Sequence, residues 1–171
     1  GNDTFYSSLG DDTLYGQDGD DTYVFTGTWG DDSVIEASND DNDTLDFSGV
    51  SNDLTINPGT STTDEISTVT HAGHFVEAIM GGSGSDQLFF DTTLSAAVEL
   101  SDGQFVHNDV AMTYSSIEDL RVRLDDSGPI GSITVTGELD FTGGDILFDA
   151  ESIVVGASLR ADNISLTMSN L

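Results

Sequence analysis

The sequence contains no cysteine and no lysine, and its only cationic side chains are three arginines among 171 residues. Without cysteine there is no disulfide framework and no thiolate chemistry. Without a basic patch the chain cannot displace the counterions of a nucleic acid, so direct nucleic-acid binding is excluded. The sequence also lacks any run that approaches the roughly 18 apolar residues of a membrane-spanning helix, so we expect no membrane insertion.

The chain is rich in acid, and in aspartate above all. It carries 25 Asp and 7 Glu and has a formal net charge of −29. Repulsion at this density destabilises a compact state unless cations are bound. Leu, Ile, Val and Phe nevertheless account for 45 residues, well above the roughly 20% below which so charged a chain is expected to stay disordered. The composition therefore predicts a folded core once the charge is neutralised.

A nine-residue repeat opens the sequence. Its copies share a Gly-rich turn, an Asp, one variable residue and then a large apolar residue U, in the pattern GGxGxDxUx. They lie at residues 1–5, 10–14, 19–23, 30–34 and 41–45, with a complete isolated copy at 81–89. Glycine allows the tight turn, and x-U-x is a short strand with U on one face. One copy cannot bury an apolar face alone, so the copies are expected to stack as a solenoid.

The stacking predicts where the repeated aspartates lie. Odd and even copies form opposite sides of a flattened spiral, so each Asp lies beside the Asp two copies away. Two carboxylates and nearby turn carbonyls make an irregular cage of oxygens. Such a cage suits calcium better than magnesium, which prefers strict octahedral geometry, or zinc, which prefers His and Cys. An acidic surface of the halophilic kind would not place acid at regular intervals beside glycine.

The repeat resembles that of the RTX (repeats-in-toxin) calcium-binding nonapeptide proteins, strongly over residues 1–50 and 79–90. The resemblance implies a right-handed parallel β-roll, calcium between successive turns, and export by a bacterial type I secretion system. It implies ligand carboxylates at Asp3, Asp12, Asp21, Asp32, Asp43 and Asp86. It implies turn-carbonyl ligands at Gly16, Gly19, Gly81, Gly82 and Gly84. The sequence departs from the family pattern where Ser7 and Ser8 replace a glycine pair, where Asp41 replaces a glycine, and at the two-residue insertions.

The predicted fold class is all-β, a right-handed parallel β-roll and β-helix solenoid. Residues 1–50 form the RTX β-roll. Residues 51–103 continue as strands and contain the isolated repeat at 81–89. Residues 104–171 have short strands separated by Gly, Asp, Asn or Ser, which is typical of a parallel β-helix. This last part resembles the β-helix tracts of large bacterial adhesins and exoproteins, so we expect neighbouring domains of a longer chain as partners.

Two further patterns leave alternatives open. In residues 119–125 the alternation turns Leu120, Val122 and Leu124 inward and Arg121 and Arg123 outward, where the arginines either bind a uronate polymer or form charge pairs with nearby acid. The second interpretation is favoured in so acidic a chain. His71 and His74 lie close together, but only one other histidine exists, so ordinary loop histidines are favoured over a zinc site.

The sequence thus predicts a calcium-binding structural module, not an enzyme, of a large secreted or cell-surface bacterial protein that folds on calcium binding outside the cell. The competing hypothesis is a carbohydrate-binding or uronan-modifying β-helix fragment, with an extracellular glycan as its partner. That function would need an aromatic or basic groove. Three arginines and a single tryptophan favour the first hypothesis.

Overall fold

The chain is all-β in the part that a computed structural model describes. That part comprises residues 1–37, 41–57, 60–64, 66–71, 76–92, 97–107, 110–124 and 131–168. Eighteen strands and no helix occur in these ranges. Consequently none of them contains a helix that could cross a membrane.

The strands form two sheets of nine strands each. The first sheet has the spatial order β1 (Thr4–Tyr6), β3 (Thr22–Thr26), β5 (Thr44–Gly49), β9 (Ala78–Met80), β13 (Val110–Ser115), β12 (Gln104–His107), β11 (Ala97–Ser101), β15 (Ser132–Val135) and β17 (Ser152–Val155). The second sheet has the order β18 (Leu159–Met168), β16 (Leu139–Ala150), β14 (Asp119–Leu124), β10 (Gln87–Thr92), β6 (Thr55–Asn57), β7 (Ser61–Thr63), β8 (Thr68–His71), β4 (Asp31–Ile35) and β2 (Thr13–Tyr15).

The N-terminal repeats stack in the register that their spacing predicts. From β1 to β5 the chain alternates between the two sheets, and strands two apart pair in parallel. In the first sheet Phe5 lies opposite Tyr23, and Tyr23 lies opposite Leu45. In the second sheet Leu14 lies opposite Val34. The apolar residue of each copy therefore stacks on that of the copy two positions away.

Two meanders interrupt the parallel pairing. Strands β6, β7 and β8 pair antiparallel, and so do β11, β12 and β13. The connections are too short for a crossover to a parallel neighbour. Asp102 and Gly103 make a two-residue hairpin loop, with Gly103 at φ +69°, and Asp64 accepts hydrogen bonds from the N–H groups of Ile66 and Ser67 in the β7–β8 turn. The two meanders thus differ from a wholly parallel stack, whereas β9 and β10 between them pair in parallel and β14, β16 and β18 continue the parallel pairing.

The buried side chains form one apolar core. Its widest aromatic group is near the N-terminus, where the rings of Phe25 and Phe47 stack at 4.8 Å and both contact Trp29. Each such aromatic pair contributes about 0.5–1.5 kcal/mol beyond the area it buries. Trp29, which the sequence places in an insertion, is therefore a core residue, fully buried.

The register predicts unequal costs for removing two leucine side chains. Leu45 is 0% exposed in the middle of the stacked column, whereas Leu9 is 82% exposed. We expect Leu45→Ala to lower the free energy of unfolding by about 2–5 kcal/mol, because it leaves a cavity. The control Leu9→Ala should change it by less than about 0.5 kcal/mol. Urea unfolding at saturating calcium measures both, and equal shifts would contradict the register.

Candidate metal centre

Carboxylates that precede strands of the first sheet are joined by a line of hydrogen bonds. The backbone N–H of Asp3 donates to Asp21 Oδ1 at 2.6 Å, and that of Asp21 donates to Asp43 Oδ1 at 2.8 Å. The N–H of Asp43 donates in turn to Glu77 Oε2 at 2.8 Å. We call these four residues the first ladder. Each step joins neighbouring strands of the first sheet through a carboxylate oxygen.

A second ladder connects the even-numbered repeats. The backbone N–H of Asp12 donates to Asp32 Oδ1 at 2.8 Å, and the Ser7 hydroxyl donates to Asp32 Oδ2 at 2.6 Å. The Ser8 hydroxyl donates to Asp12 Oδ2 at 2.9 Å. The two serines that replace a glycine pair thus give their hydroxyls to these carboxylates. Both oxygens of buried Asp32 already have protein donors.

Asp86, in the isolated repeat, is also fully hydrogen-bonded. Its Oδ1 accepts from the N–H of Leu54 at 2.9 Å, and its Oδ2 accepts from the N–H of Gly82 at 2.6 Å. Its own N–H donates to Glu118 Oε2 at 2.8 Å. A Cβ on Gly81 would lie 2.6 Å from Asp86 Oδ2. Asp86, Gly81 and Gly82 of this repeat lie together, but both carboxylate oxygens of Asp86 already accept hydrogen bonds from backbone N–H groups.

Three carboxylates of the N-terminal region behave differently. One oxygen each of Asp21, Glu36 and Asp43 lies within 4.8 Å of the other two. The three residues are 0%, 8% and 1% exposed. Asp21 Oδ2 and Glu36 Oε2 are buried and have no hydrogen-bond partner in the described part of the chain. A buried carboxylate oxygen without a partner is costly unless a cation neutralises its charge. We call these three residues the carboxylate centre, and for this reason it is the candidate metal centre.

Both sheets contribute to the carboxylate centre. Asp21 and Asp43 directly precede β3 and β5, which are neighbouring parallel strands of the first sheet. Glu36 directly follows β4 of the second sheet. Alternation along β4 places Glu36 on the same buried side as Val34. A cation held by all three would therefore join the two sheets.

Tyr23 closes one side of the carboxylate centre. Its hydroxyl donates to Glu36 Oε1. Burial, together with that bond and the charge of Glu36, raises the pKa of Tyr23 far above its ordinary value, so the phenol remains a neutral donor. The bond occupies one oxygen of Glu36 and leaves Oε2 for a cation.

The protonation behaviour of the carboxylates shows the cost of their burial. Burial raises the pKa of Glu36 above its ordinary value. Burial, together with the charges of Glu77, Asp21 and Asp41, raises the pKa of Asp43 to about 6. When the carboxylates are ionised, their negative charges oppose one another until a cation neutralises them.

Gly16 forms another side of the carboxylate centre. A Cβ at this position would collide with Glu36 Oε1, Asp21 Oδ2 and the Tyr23 hydroxyl. The two carboxylates and the phenol can therefore approach residue 16 this closely only because it has no side chain. Oxygen is the only donor element among the three carboxylates and the phenol, and an all-oxygen set fits a hard cation such as calcium and not zinc.

The structure thus brings together only some of the predicted site residues. Asp21, Asp43 and Gly16 lie at the carboxylate centre, and Asp3 lies at the outer end of the first ladder. Asp12 and Asp32 form the second ladder, and Asp86 lies with Gly81 and Gly82 in another part of the chain. Gly19 and Gly84 pack closely against the backbones of residues 1–2 and 52–53, and the N–H of Gly19 donates to Asp41 at 2.6 Å.

The repeat pattern missed three glutamates. Glu77 and Glu118 each precede a strand at the place where the repeat has Asp, because Thr44 pairs with Ala78 and Gln87 pairs with Asp119. Glu36 follows its strand where the earlier repeat has Gly16. An Asp or a Glu immediately before or immediately after x-U-x was the signal that would have found all three.

Histidine 71 also differs from its prediction as a loop residue. It lies in β8, is 3% exposed and has both ring nitrogens buried without a hydrogen-bond partner among the described residues. Burial lowers the pKa of His71 to about 4, so the ring is neutral at physiological pH. His74 lies outside the described residues.

Comparison with family models, with curated proteins and with solved structures found no match for this chain. A metal at the carboxylate centre is therefore supported by the chemistry of the centre alone: three buried carboxylates, two oxygens without a partner in the described part of the chain, and a glycine against which they pack.

A side chain at position 16 should remove a bound ion from the carboxylate centre. Gly16→Ala places a methyl group among the three oxygens, so we expect it to lose one bound calcium ion and to raise the calcium midpoint about tenfold to a hundredfold. Gly1→Ala is the control, because nothing lies within 4 Å of a Cβ at residue 1. Equilibrium dialysis counts the ions. Wild-type stoichiometry in Gly16→Ala would show that no ion occupies this space.

The raised carboxylate pKa values predict that acid stabilises the calcium-free protein. The pKa of Asp43 is about 6 when folded and 3.8 ordinarily. Its contribution is therefore fully present below about pH 4 and is lost as the pH rises through 6. His71 acts oppositely, since its stabilisation is lost as the pH falls from 6.5 towards 4.

Comparison with Asp43→Asn isolates the contribution of this one carboxylate. We expect the unfolding free energy of the calcium-free wild type to fall more steeply between pH 4 and pH 6 than that of the variant. The difference should amount to about 1–3 kcal/mol. Urea unfolding at stepped pH measures it, and parallel pH profiles would be inconsistent with a protonated, buried Asp43.

Proposed function

We propose that this chain is a calcium-binding structural module of a larger secreted or cell-surface bacterial protein. In this proposal calcium binding and folding are coupled. The observation that carries it is the carboxylate centre of Asp21, Glu36 and Asp43, in which two buried oxygens lack hydrogen-bond partners within the described ranges. The module has a structural role and is not an enzyme.

Charge is the first argument for coupling. The chain has a net charge of −29, and the ladders of acidic residues bring like charges close together. Stacking the repeats concentrates this charge, so the same pairing that buries the apolar column also increases repulsion. Bound cations offset the repulsion only in the stacked state, and their binding free energy therefore contributes to folding.

The donor set is the argument for calcium. Calcium accepts six to eight oxygen ligands in irregular arrangements, whereas magnesium requires a near-ideal octahedron and keeps several waters. The carboxylates of the centre come from three different repeats and two sheets, an arrangement with no octahedral symmetry imposed by one rigid loop.

The burial of the centre is the argument for a structural role. Asp21 and Asp43 are almost completely inaccessible. A catalytic metal needs an open coordination position that substrate can reach. An ion bound by these buried carboxylates and by Glu36 would instead join the ends of strands from two sheets.

The fold proposed for the module is a right-handed parallel β-roll that continues as a β-helix. Alternation of β1 to β5 between two sheets and parallel pairing two strands apart support the roll. Parallel pairing of β14, β16 and β18 and of β15 and β17 supports the β-helix. A right-handed crossover is the ordinary hand for parallel strands in one sheet.

The proposed extracellular location of the protein follows from the affinity expected for calcium. Extracellular calcium modules have dissociation constants of about 10⁻⁴ to 10⁻³ M. With such an affinity the chain stays loose where free calcium is scarce, which suits export in an unfolded state, as in type I secretion, and it folds outside the cell. Calcium ions and neighbouring domains of the parent chain are the partners in this proposal.

Two aspartates of the first ladder provide a matched test. Asn at position 21 keeps an oxygen for the N–H of Asp3 but removes a charge from the carboxylate centre. Asp3 lies outside that centre and is exposed. We expect Asp21→Asn to lose one bound ion and to raise the calcium midpoint of folding about tenfold or more, and Asp3→Asn to change the midpoint by less than about twofold.

The comparison uses midpoints and ion counts, because either substitution also lowers repulsion in the calcium-free chain. Circular dichroism follows folding, and equilibrium dialysis counts ions. A shift for Asp3→Asn that matches or exceeds that of Asp21→Asn would place the functional ion elsewhere. Folding of Asp21→Asn at the wild-type midpoint would remove the carboxylate centre from the proposal.

A further inference from the structure

A polar groove lies on the second sheet, away from the carboxylate centre. It crosses four neighbouring strands, β10, β14, β16 and β18. Its volume is about 220 Å³, and its lining includes Gln87, Asp119, Arg121, Asp145, Asn163 and Ser165. Neighbouring strands lie about 4.8 Å apart, so the groove extends over about 14 Å.

Arg121 is the unusual residue of the groove. It faces outward as the alternation in β14 predicts, but the expected charge pair is missing. Its guanidinium lies 5.1 Å from the centroid of the Phe89 ring. Its Nε is buried without a hydrogen-bond partner, and no described carboxylate forms an ion pair with it. Among the described residues no ion pair occupies this guanidinium, so its terminal NH2 groups, and not the buried Nε, are the donors available to a ligand.

The acids of the groove are held in fixed positions. The backbone N–H of Asp145 donates to Asp119 Oδ1 at 2.6 Å, and Asn163 Nδ2 donates to Asp145 Oδ1 at 2.6 Å. The same residues stand in register across β14, β16 and β18. Each carboxylate thus uses Oδ1 for the row, and its Oδ2 accepts no hydrogen bond from the described residues. Two ordered acceptors therefore accompany the donors of Arg121.

We propose that this groove binds a short acidic saccharide, with a sugar carboxylate on Arg121 and sugar hydroxyls on Asp119 and Asp145. A planar guanidinium matches a carboxylate with two parallel hydrogen bonds. Fixed carboxylate oxygens accept hydrogen bonds from hydroxyl groups, which an acidic saccharide supplies along its length. A ligand with a carboxylate alone would leave these acceptors unused.

Cation–π contact with Phe89 prepares Arg121 for this role. The ring holds the guanidinium in place without using its N–H donors in the plane of the group. Little side-chain freedom is then lost on binding, which lowers its entropic cost. Asp119 and Asp145 line the same groove and oppose an anionic ligand, so the sugar carboxylate lies on the Arg121 side of the groove and the sugar hydroxyls lie against the two acids. Charges beyond about 8 Å are largely screened at 0.15 M salt.

The test uses the full chain, saturated with calcium, at 0.15 M salt. The probe is the trimer of galacturonate, and the neutral trisaccharide maltotriose is its control. Equal free calcium in both solutions of a calorimetric titration avoids heat from calcium mixing, and injection of the sugar into buffer with the same calcium measures the remaining sugar–calcium heat for subtraction. The site does not include the carboxylate centre, so binding here and calcium-dependent folding fail separately.

Arg121→Ala is compared with Arg160→Ala, which removes the same charge at an exposed residue paired with Glu138 at 3.1 Å. We expect Arg121→Ala to weaken galacturonate binding by about tenfold to a hundredfold, the loss of a charge-assisted hydrogen bond. Arg160→Ala should bind as the wild type does. Arg121→Lys keeps the charge but loses the planar pair, so it should also bind at least about fivefold more weakly.

Circular dichroism shows whether each variant folds. If Arg121→Ala does not fold, the affinity of Arg121→Lys tests the proposal in its place. Failure of the wild type to bind the galacturonate trimer would overturn the proposal. Equal affinity in the wild type and in both Arg121 variants would also overturn it. Equal affinity for maltotriose would remove the sugar carboxylate from the recognition.

Discussion

Repulsion among buried carboxylates is the constraint on which the N-terminal half of this structure depends. Stacking the repeats buries Leu45 and the aromatic residues of the core, and the same register brings Asp21 and Asp43 together. Glu36 adds a third charge from the other sheet. Apolar burial and charge crowding therefore increase together, and a cation offsets the second without reducing the first.

The carboxylates of the repeats lie in two kinds of hydrogen-bonding environment. Where a protein donor reaches both oxygens, as at Asp32 and Asp86, the carboxylate is part of the backbone hydrogen-bond network of the turns. At Asp21 the second oxygen has no donor among the described residues, and it packs closely against Gly16, which has no side chain. The repeated Asp thus occurs in two environments, one in which both carboxylate oxygens accept hydrogen bonds and one in which the second oxygen has no partner among the described residues.

Much of the N-terminal fold follows from spacing alone. A nine-residue period with one apolar residue per copy dictates that Tyr23 pairs with Leu45, and the structure has this pairing. Glu36 could not be found in this way, because the pattern gives weight to Asp at one position while burial depends on which strands meet. The β11–β12 hairpin follows from the local turn at Gly103, a preference that a search for parallel stacking overlooks.

Far-ultraviolet circular dichroism of the full chain in excess chelator, then with added calcium and separately with magnesium, tests the coupling of cation binding to folding most directly. The account predicts little β-structure in chelator at neutral pH and low salt, and a cooperative gain with calcium at about 10⁻⁴ to 10⁻³ M. Magnesium at the same concentration should leave the chain largely unfolded. A β-rich spectrum in chelator that calcium does not change would contradict the account.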